Sequence, residues 1–368
     1  MSIDNLIQPR KSLSDRRQFL KVLGLSTAAA LLPSCAARYI IQQRPINPMY
    51  NTIAHDMLDM ELEFGATAGD YIELDIIMNN ALSVVGELKK VDGEVEREEG
   101  LRILKALDDL FRVERFNTEK NELLHQALKF NKLDCDGYTI FYVAAGQLLG
   151  LPIDFVRAPD HAFPRLRLDE GHINWESTSG REKTDEWIIS HHNIPKDAIG
   201  KSFMRNLGVK WHREEILANH YVNLGVHALN KGDGKLARLL FEEGVSHDKY
   251  YDFAHYNLGL VLQMNGEDQA ALDSYRKAID LNRNHAKPYY AIGRILHMDG
   301  KIYDAIKWYT VALDKDPDYL NALSKMELAY NDIGDKKRSC EMLHRRVKAD
   351  PSYFFKNPDE KPSTLCEM

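Results

Sequence analysis

Three residues of this chain have the types and the order that acyl-transfer chemistry needs. Cys135 heads the stretch Leu133-Asp134-Cys135-Asp136-Gly137-Tyr138-Thr139-Ile140-Phe141-Tyr142, His161 follows 26 residues later, and Glu176 lies another 15 beyond. A thiol supplies a nucleophile, an imidazole can take and return its proton, and a carboxylate can fix the tautomer and orientation of the ring. Asp160 and Asp169 are nearer to His161 in sequence and are alternative orienters, although both read more simply as loop residues. His191-His192, taken with His172, raises the question of a metal. No acid completes a recognised ligand spacing and no CxxC occurs, so neither a metal nor a cofactor is expected.

These side chains need elements to hold them. Residues 53–131 carry several helical patterns, with Ile76, Ile77, Ala81, Val84, Val85 and Leu88 in one, Leu101, Ile103, Leu104, Leu107, Leu110 and Phe111 in the next, and Leu123, Leu124, Ala127 and Leu128 in a third. The acidic patch from Glu94 to Glu99 reads as a solvated helix entrance. A further helix is expected from Asp134 or Cys135, with Asp134 as its N-cap, Gly150 at its end and Pro152 preventing its resumption. Cys135 then sits in the first turn, where the helix dipole and free N–H groups favour an anion. Beyond Pro152 the pattern alternates, over 153–157, 162–168 and 172–176, with the turn Asp169-Glu170-Gly171 between the last two. If Asp169-Glu170 form a two-residue loop, residue 163 faces residue 176, and His161 lies diagonally across from Glu176 on one face. A slip of one residue would send Glu176 to the opposite face. Pro164 points to an edge or distorted strand.

The segment from about Asn121 to Gly180 resembles the transglutaminase-like superfamily, in which a Cys on a helix is followed by a His and an acid on adjacent strands, in the papain-type order. Cys135-Asp136-Gly137-Tyr138 and the run to Leu149-Gly150-Leu151-Pro152 match its helix and exit, Asp160-His161-Ala162-Phe163 its His strand, and Asn174-Trp175-Glu176-Ser177-Thr178-Ser179-Gly180 its acid strand. The acid is Glu where the family more often has Asp. The resemblance implies that Cys135 is the nucleophile, His161 the general base and Glu176 the orienter. It also implies an acyl-enzyme that is passed to an amine or to water.

The first residues read as an address. Arg16-Arg17 and Phe19-Leu20-Lys21 precede an eleven-residue apolar run, Val22 to Leu32, and then Pro33-Ser34-Cys35. A basic region, a short apolar core and a small-residue exit make a signal peptide. The leader resembles twin-arginine export signals, and Leu32-Pro33-Ser34-Cys35 resembles a bacterial lipobox. These resemblances imply cleavage before Cys35, lipid on its sulfur, and a body in the bacterial cell envelope that faces the periplasm or the outside. Net charge is −7 for the full chain, and residues 1–34 carry five basic and two acidic side chains, which leaves about −10 without them. A body that acidic argues against general nucleic-acid binding.

Residues 218–351 repeat at a period of 34. Leu224, Leu258, Ile292 and Met326 are equivalent, as are Gly225, Gly259, Gly293 and Glu327, then Ala237, Ala271, Ala305 and Ser339, then Phe241, Tyr275, Tyr309 and Leu343. The array resembles tetratricopeptide repeats, two antiparallel helices per unit, with a fourth unit that departs from the pattern as a capping repeat does. Small residues are expected to let paired helices approach while the aromatics fill between units. Cys340 and Cys366 are either a disulfide pair or free thiols. The fold class expected is therefore an α+β transglutaminase-like (papain-type) domain over 56–212, then an all-α tetratricopeptide-repeat solenoid over 218–351. A signal peptide over 1–34, a linker over 35–55 and a tail over 352–368 complete the chain. The expected partners are a protein or peptide at the repeats and a membrane through lipid on Cys35. Two functions stand open: a thiol acyltransferase or amide hydrolase, and a catalytically silent envelope scaffold. Close approach of Cys135, His161 and Glu176 favours the first; a buried Cys135 with His161 turned away favours the second.

Overall fold

The computed structural model describes residues 52–191 and 213–350, apart from 62–63, 87, 89–94, 114–116, 119–122, 131, 134 and 159–160. Arg16, Arg17, Cys35, Asp134, Asp160, His192 and Cys366 lie outside the described residues. The chain divides into two compact units, one ending at Ile216 and the other beginning at Leu217. Among the described residues no helix is long and apolar enough to cross a membrane.

In the first unit the helices are α1 (Ile53–Met60), α2 (Ala68–Gly86), α3 (Arg97–Val113), α4 (Leu124–Phe130), α5 (Cys135–Leu149) and α6 (Asp185–His191). The strands are β1 (Asn117–Thr118), β2 (Lys132–Leu133), β3 (Ile153–Ala158), β4 (His161–Arg167), β5 (His172–Glu176) and β6 (Arg181–Lys183). Helix α1 starts inside the stretch read from sequence as linker. Tyr71, Leu74, Ile77, Met78, Ala81 and Val85 form the buried stripe of α2. The apolar pattern there was too uniform to reveal which side is buried, since Ile76 and Val84 face outward. Helix α5 starts at Cys135 and stops at Gly150, which takes φ +65 while the Leu151 N–H returns to the Gly146 carbonyl at 2.8 Å. That left-handed residue and back-bonded amide are a common helix stop.

Strands β3 to β6 form an antiparallel sheet in sequential order. Arg165 pairs with Asn174, Leu166 with Ile173 and Arg167 with His172, and the Leu168 N–H meets the Gly171 carbonyl at 3.1 Å. The loop is thus Asp169-Glu170, with Gly171 at φ +85, and the count places residue 163 opposite 176. Strand β4 is interior, which corrects the expectation of an edge at Pro164. Pro164 is tolerated because it pairs only with Phe155 of β3, and the β5 ladder begins one residue later, at Arg165. No N–H is needed from it on that side. The Leu166, Ile173 and Trp175 face meets the helices. A Cβ on Gly100 of α3 would stand 2.9 Å from Leu166 and 3.1 Å from Ile173, and one on Gly146 of α5 would stand 2.9 Å from Ile153.

Two buried carboxylates tie helices to one another and to the sheet. Glu61 accepts from the Leu124 and His125 N–H groups at 2.6 and 2.7 Å and bonds His125 Nδ1 at 2.7 Å. It thereby caps α4, the helix that leads through β2 into Cys135. Asp108 of α3 accepts from Tyr142 Oη of α5 at 3.0 Å, with Trp175 Nε1 of β5 at 3.5 Å. Hydrogen bonds to a buried charge are worth about 1.5–3 kcal/mol each.

The second unit is a helical solenoid. It holds four helix pairs: α7 (Arg213–Asn230) with α8 (Gly234–His247), α9 (Asp252–Met264) with α10 (Asp268–Leu281), α11 (Ala286–Met298) with α12 (Ile302–Lys315), and α13 (Leu320–Asp332) with α14 (Lys336–Ala349). Helix α7 begins just before the division between units. The turn inside each pair holds a glycine at positive φ, at positions 232, 266, 300 and 334. That recurrence at 34 was missed in the sequence. The aromatics of Phe241, Tyr275 and Tyr309 lie on the glycine of their own pair, where a Cβ at Gly225, Gly259 or Gly293 would come within 2.4–2.6 Å of a ring carbon. They fill within units as well as between them. In the fourth unit Glu327 replaces the glycine, and its carboxylate pairs with Arg346 at 3.1 Å. Gly259→Val is expected to destabilise the array by about 1–3 kcal/mol, whereas Gly234→Ala, which meets open space, leaves stability near wild type. Thermal melts of the two variants check this, and equal melting temperatures would refute the packing described.

Candidate active site

The hairpin brings the predicted pair together. His161 Nε2 lies 2.7 Å from Glu176 Oε2, and both side chains are largely buried, at 12% and 8% exposure. The other carboxylate oxygen, Oε1, accepts from the Thr178 N–H at 3.0 Å and the Thr178 hydroxyl at 2.6 Å. The Gly180 N–H closes the turn on the Glu176 carbonyl at 2.7 Å, with Gly180 at φ +65. Glu176 is therefore gripped on one oxygen by its own turn and offers the other to the ring. Sequence reasoning missed Thr178; its signal was the Ser-Thr-Ser-Gly turn directly after the acid, where a hydroxyl two residues on can reach back.

Cys135 is a half-buried free thiol at the first position of α5. Its side chain hydrogen-bonds to His161. Nε2 is engaged by Glu176, which leaves Nδ1 to meet the sulfur. The thiol also lies 3.7 Å from Asp136 Oδ1, and Asp136 faces Arg157 at 3.9 Å. Burial alone would push the His161 imidazole down. Hydrogen bonds from Cys135 and Glu176, with the negative charge of both, outweigh burial and hold it up at about 10. For Glu176, burial pushes the carboxyl up, but the bonds to His161 and Thr178 prevail and hold it below the usual carboxylate range. The cluster thus favours imidazolium beside carboxylate at neutral pH.

The remaining candidates are placed elsewhere. Asp169 is exposed at the hairpin tip, at the far end of β4 from His161. His172 bonds Asp185 at 3.2 Å within a network in which Arg165 and Asn174 also reach Asp185, at 2.8 and 2.7 Å. His191 stacks on Trp187 at 4.2 Å. Among the described residues no group of three or more His, Cys, Asp or Glu is arranged to hold a metal. A cavity of about 510 Å³ opens at the other end of α5, lined by Val143, Gln147, Pro152, Asp154, Arg167 and Arg213. Its charges are satisfied internally, Arg167 by Asp154 at 2.8 Å and Arg213 by Asp56. Cys340 is disulfide-bonded, and its partner lies outside the described residues.

The sequence model of the tetratricopeptide repeat family matches residues 253–285, which span α9 and α10. No match is found among curated proteins. Solved structures similar to the chain include MamA 41-end from Desulfovibrio magneticus RS-1, at 22% identity over 40% of this chain and 88% of that one, with a TM-score of 0.33. Pseudomonas aeruginosa pilF is similar at 17% identity over 42% and 77%, with a TM-score of 0.37. YrrB, described as a TPR protein with an unusual peptide-binding site, is similar at 21% identity over 46% and 86%, with a TM-score of 0.32.

The charged pair has a definite pH signature. The raised His161 value contributes stability in full below the ordinary imidazole value of 6.5, and this is lost as pH rises through about 10. The lowered Glu176 value contributes in full above 4.5 and is lost as pH falls through the depressed value. The stability difference between wild type and Glu176→Gln should therefore peak between about pH 4.5 and 6.5 and shrink toward pH 10. Melts across that range measure it, and a difference independent of pH would contradict the pair.

Proposed function

We propose that the protein is a transglutaminase-like thiol acyltransferase or amide hydrolase, exported and lipid-anchored at Cys35, whose tetratricopeptide array binds a protein or peptide. The observation that carries the catalytic half is the 2.7 Å contact of His161 Nε2 with Glu176 Oε2, with Cys135 meeting the same ring. In this reading the Cys135 thiolate attacks the carbonyl of a Gln side-chain amide or a peptide bond. The oxyanion forms beside the Cys135 backbone N–H, which as the first helical amide has no intrahelical acceptor. Collapse of the tetrahedral intermediate breaks the C–N bond, and His161 gives its proton to the departing amine or ammonia. The neutral imidazole then takes a proton from an incoming amine or water. That nucleophile attacks the thioester and frees the thiol. Glu176 holds the ring through both halves, and Thr178 holds Glu176.

Export and anchoring rest on the sequence of residues 14–35. Cys35→Ser is expected to move the protein from the membrane fraction to the soluble fraction of expressing cells, and unchanged fractionation would count against the anchor.

Site-resolved mass spectrometry with a thiol-reactive acyl probe tests the chemistry. Wild type should label at Cys135, Cys135→Ala not at all at that peptide, and His161→Ala at least tenfold more slowly at pH 7. Equal rates with and without His161 would remove base activation and favour the silent scaffold.

A further inference from the structure

Within the second unit one cation stands without a carboxylate. Arg294 of α11 is half-buried, and among the described residues no Asp or Glu pairs with it. Its recorded bond is from Nη2 to Gln263 Oε1 of α9 at 2.7 Å, an acceptor that the Tyr275 hydroxyl also uses at 3.1 Å. Around it stand the phenols of Tyr256, Tyr275, Tyr309 and Tyr319, all of which feel its charge. Tyr290 joins them, its ring 6.0 Å from Tyr309 and 5.3 Å from Tyr319. Burial raises Tyr256, Tyr275 and Tyr309, and holds Tyr319 at about 12, so these phenols keep their protons and remain donors. The hydroxyls of Tyr256 and Tyr290 have no hydrogen-bond partner among the described residues, and Gln263 Nε2 and Arg294 Nε are buried without one.

The donor and acceptor inventory is thus one-sided. A guanidinium, phenol hydroxyls and an amide N–H₂ converge, and the single side-chain acceptor recorded among them, Gln263 Oε1, is already taken twice. A missing acceptor of negative charge would balance it, and one guanidinium matches one carboxylate in charge and geometry. The 34-residue period places Leu260 and Leu328 at the equivalent position of the helices on either side, and Leu328 is 45% exposed. A cation with an apolar side chain one unit before it and one unit after it fits a chain molecule better than a free anion.

We propose that Arg294, with the hydroxyls of Tyr256 and Tyr290, is the carboxylate-recognition point of a peptide-binding surface on the repeat array, selective for an Asp or Glu flanked by apolar residues. Its partner is an acidic peptide segment. The site stands apart from Cys135 and does not depend on the chemistry proposed there.

A library of seven randomised residues displayed on phage, panned against the full chain, tests it. Peptides with Asp or Glu beside Leu, Ile, Val or Phe should be enriched at least tenfold over the input. The enrichment should vanish on Arg294→Gln and persist in part on Arg294→Lys. A synthetic dye-labelled copy of the most enriched peptide should bind the wild type at least tenfold more tightly than its Glu→Gln or Asp→Asn counterpart by fluorescence anisotropy. That comparison uses wild-type protein alone, so it stands even if an Arg294 variant folds poorly. No enrichment, enrichment of peptides without acids, equal binding of acidic and amide peptides, or tighter binding of a phosphoserine version would each overturn the proposal.

Discussion

The contact between His161 and Glu176 depends on a pairing register that is fixed elsewhere, in a loop of two residues. Asp169 and Glu170 turn the chain, Gly171 takes a positive φ that other residues rarely adopt, and Leu168 closes the loop on Gly171. From there the ladder counts back through Arg167, Leu166 and Arg165 to set His161 on the same face as Glu176. Side chains alternate along a strand, so a loop longer or shorter by one residue would separate imidazole and carboxylate onto opposite faces of the sheet. The apolar residues between them enforce the same register, because Leu166 and Ile173 must meet Gly100 on the helical side.

The rest of the first unit brings Cys135 to that pair. Glu61 caps α4, which runs through β2 to the start of α5, and Asp108 joins α5 to β5 through Tyr142 and Trp175. These buried carboxylates are expensive to desolvate and are retained with their donors in place. At the site the same balance appears in a different form. Burial disfavours both charges, and the hydrogen bonds among Cys135, His161, Glu176 and Thr178 reverse its sign for both His161 and Glu176. The repeat array uses another device, in which ring carbons of Phe241, Tyr275 and Tyr309 occupy the space that glycines leave open.

Strong local chemistry made much of this legible in the sequence. The two-residue turn fixed a testable register, the Gly150 and Pro152 pair marked the end of the cysteine helix, and the period of 34 defined the array. What escaped detection had weaker local signals. Strand β6 is three polar residues, readable only through its partner β5. Pro164 argued for an edge, and only the sheet shows that the ladder to β5 begins beyond it. Helix α2 is apolar on both sides, so Ile76 and Ile77 could not be assigned to solvent and core from pattern alone. Thr178 and Arg294 act through neighbours that are distant or reached through a turn, and neither belongs to a motif.

The central claim is that the hairpin and the α5 terminus together hold His161 as an imidazolium between a carboxylate and the Cys135 sulfur. An NMR titration of the His161 ring in the full-length protein measures this directly. A midpoint near 10, far above the ordinary 6.5, is the predicted result. A midpoint at or below 6.5 would mean that burial prevails over the Cys135 and Glu176 interactions, and the account of the site would be wrong.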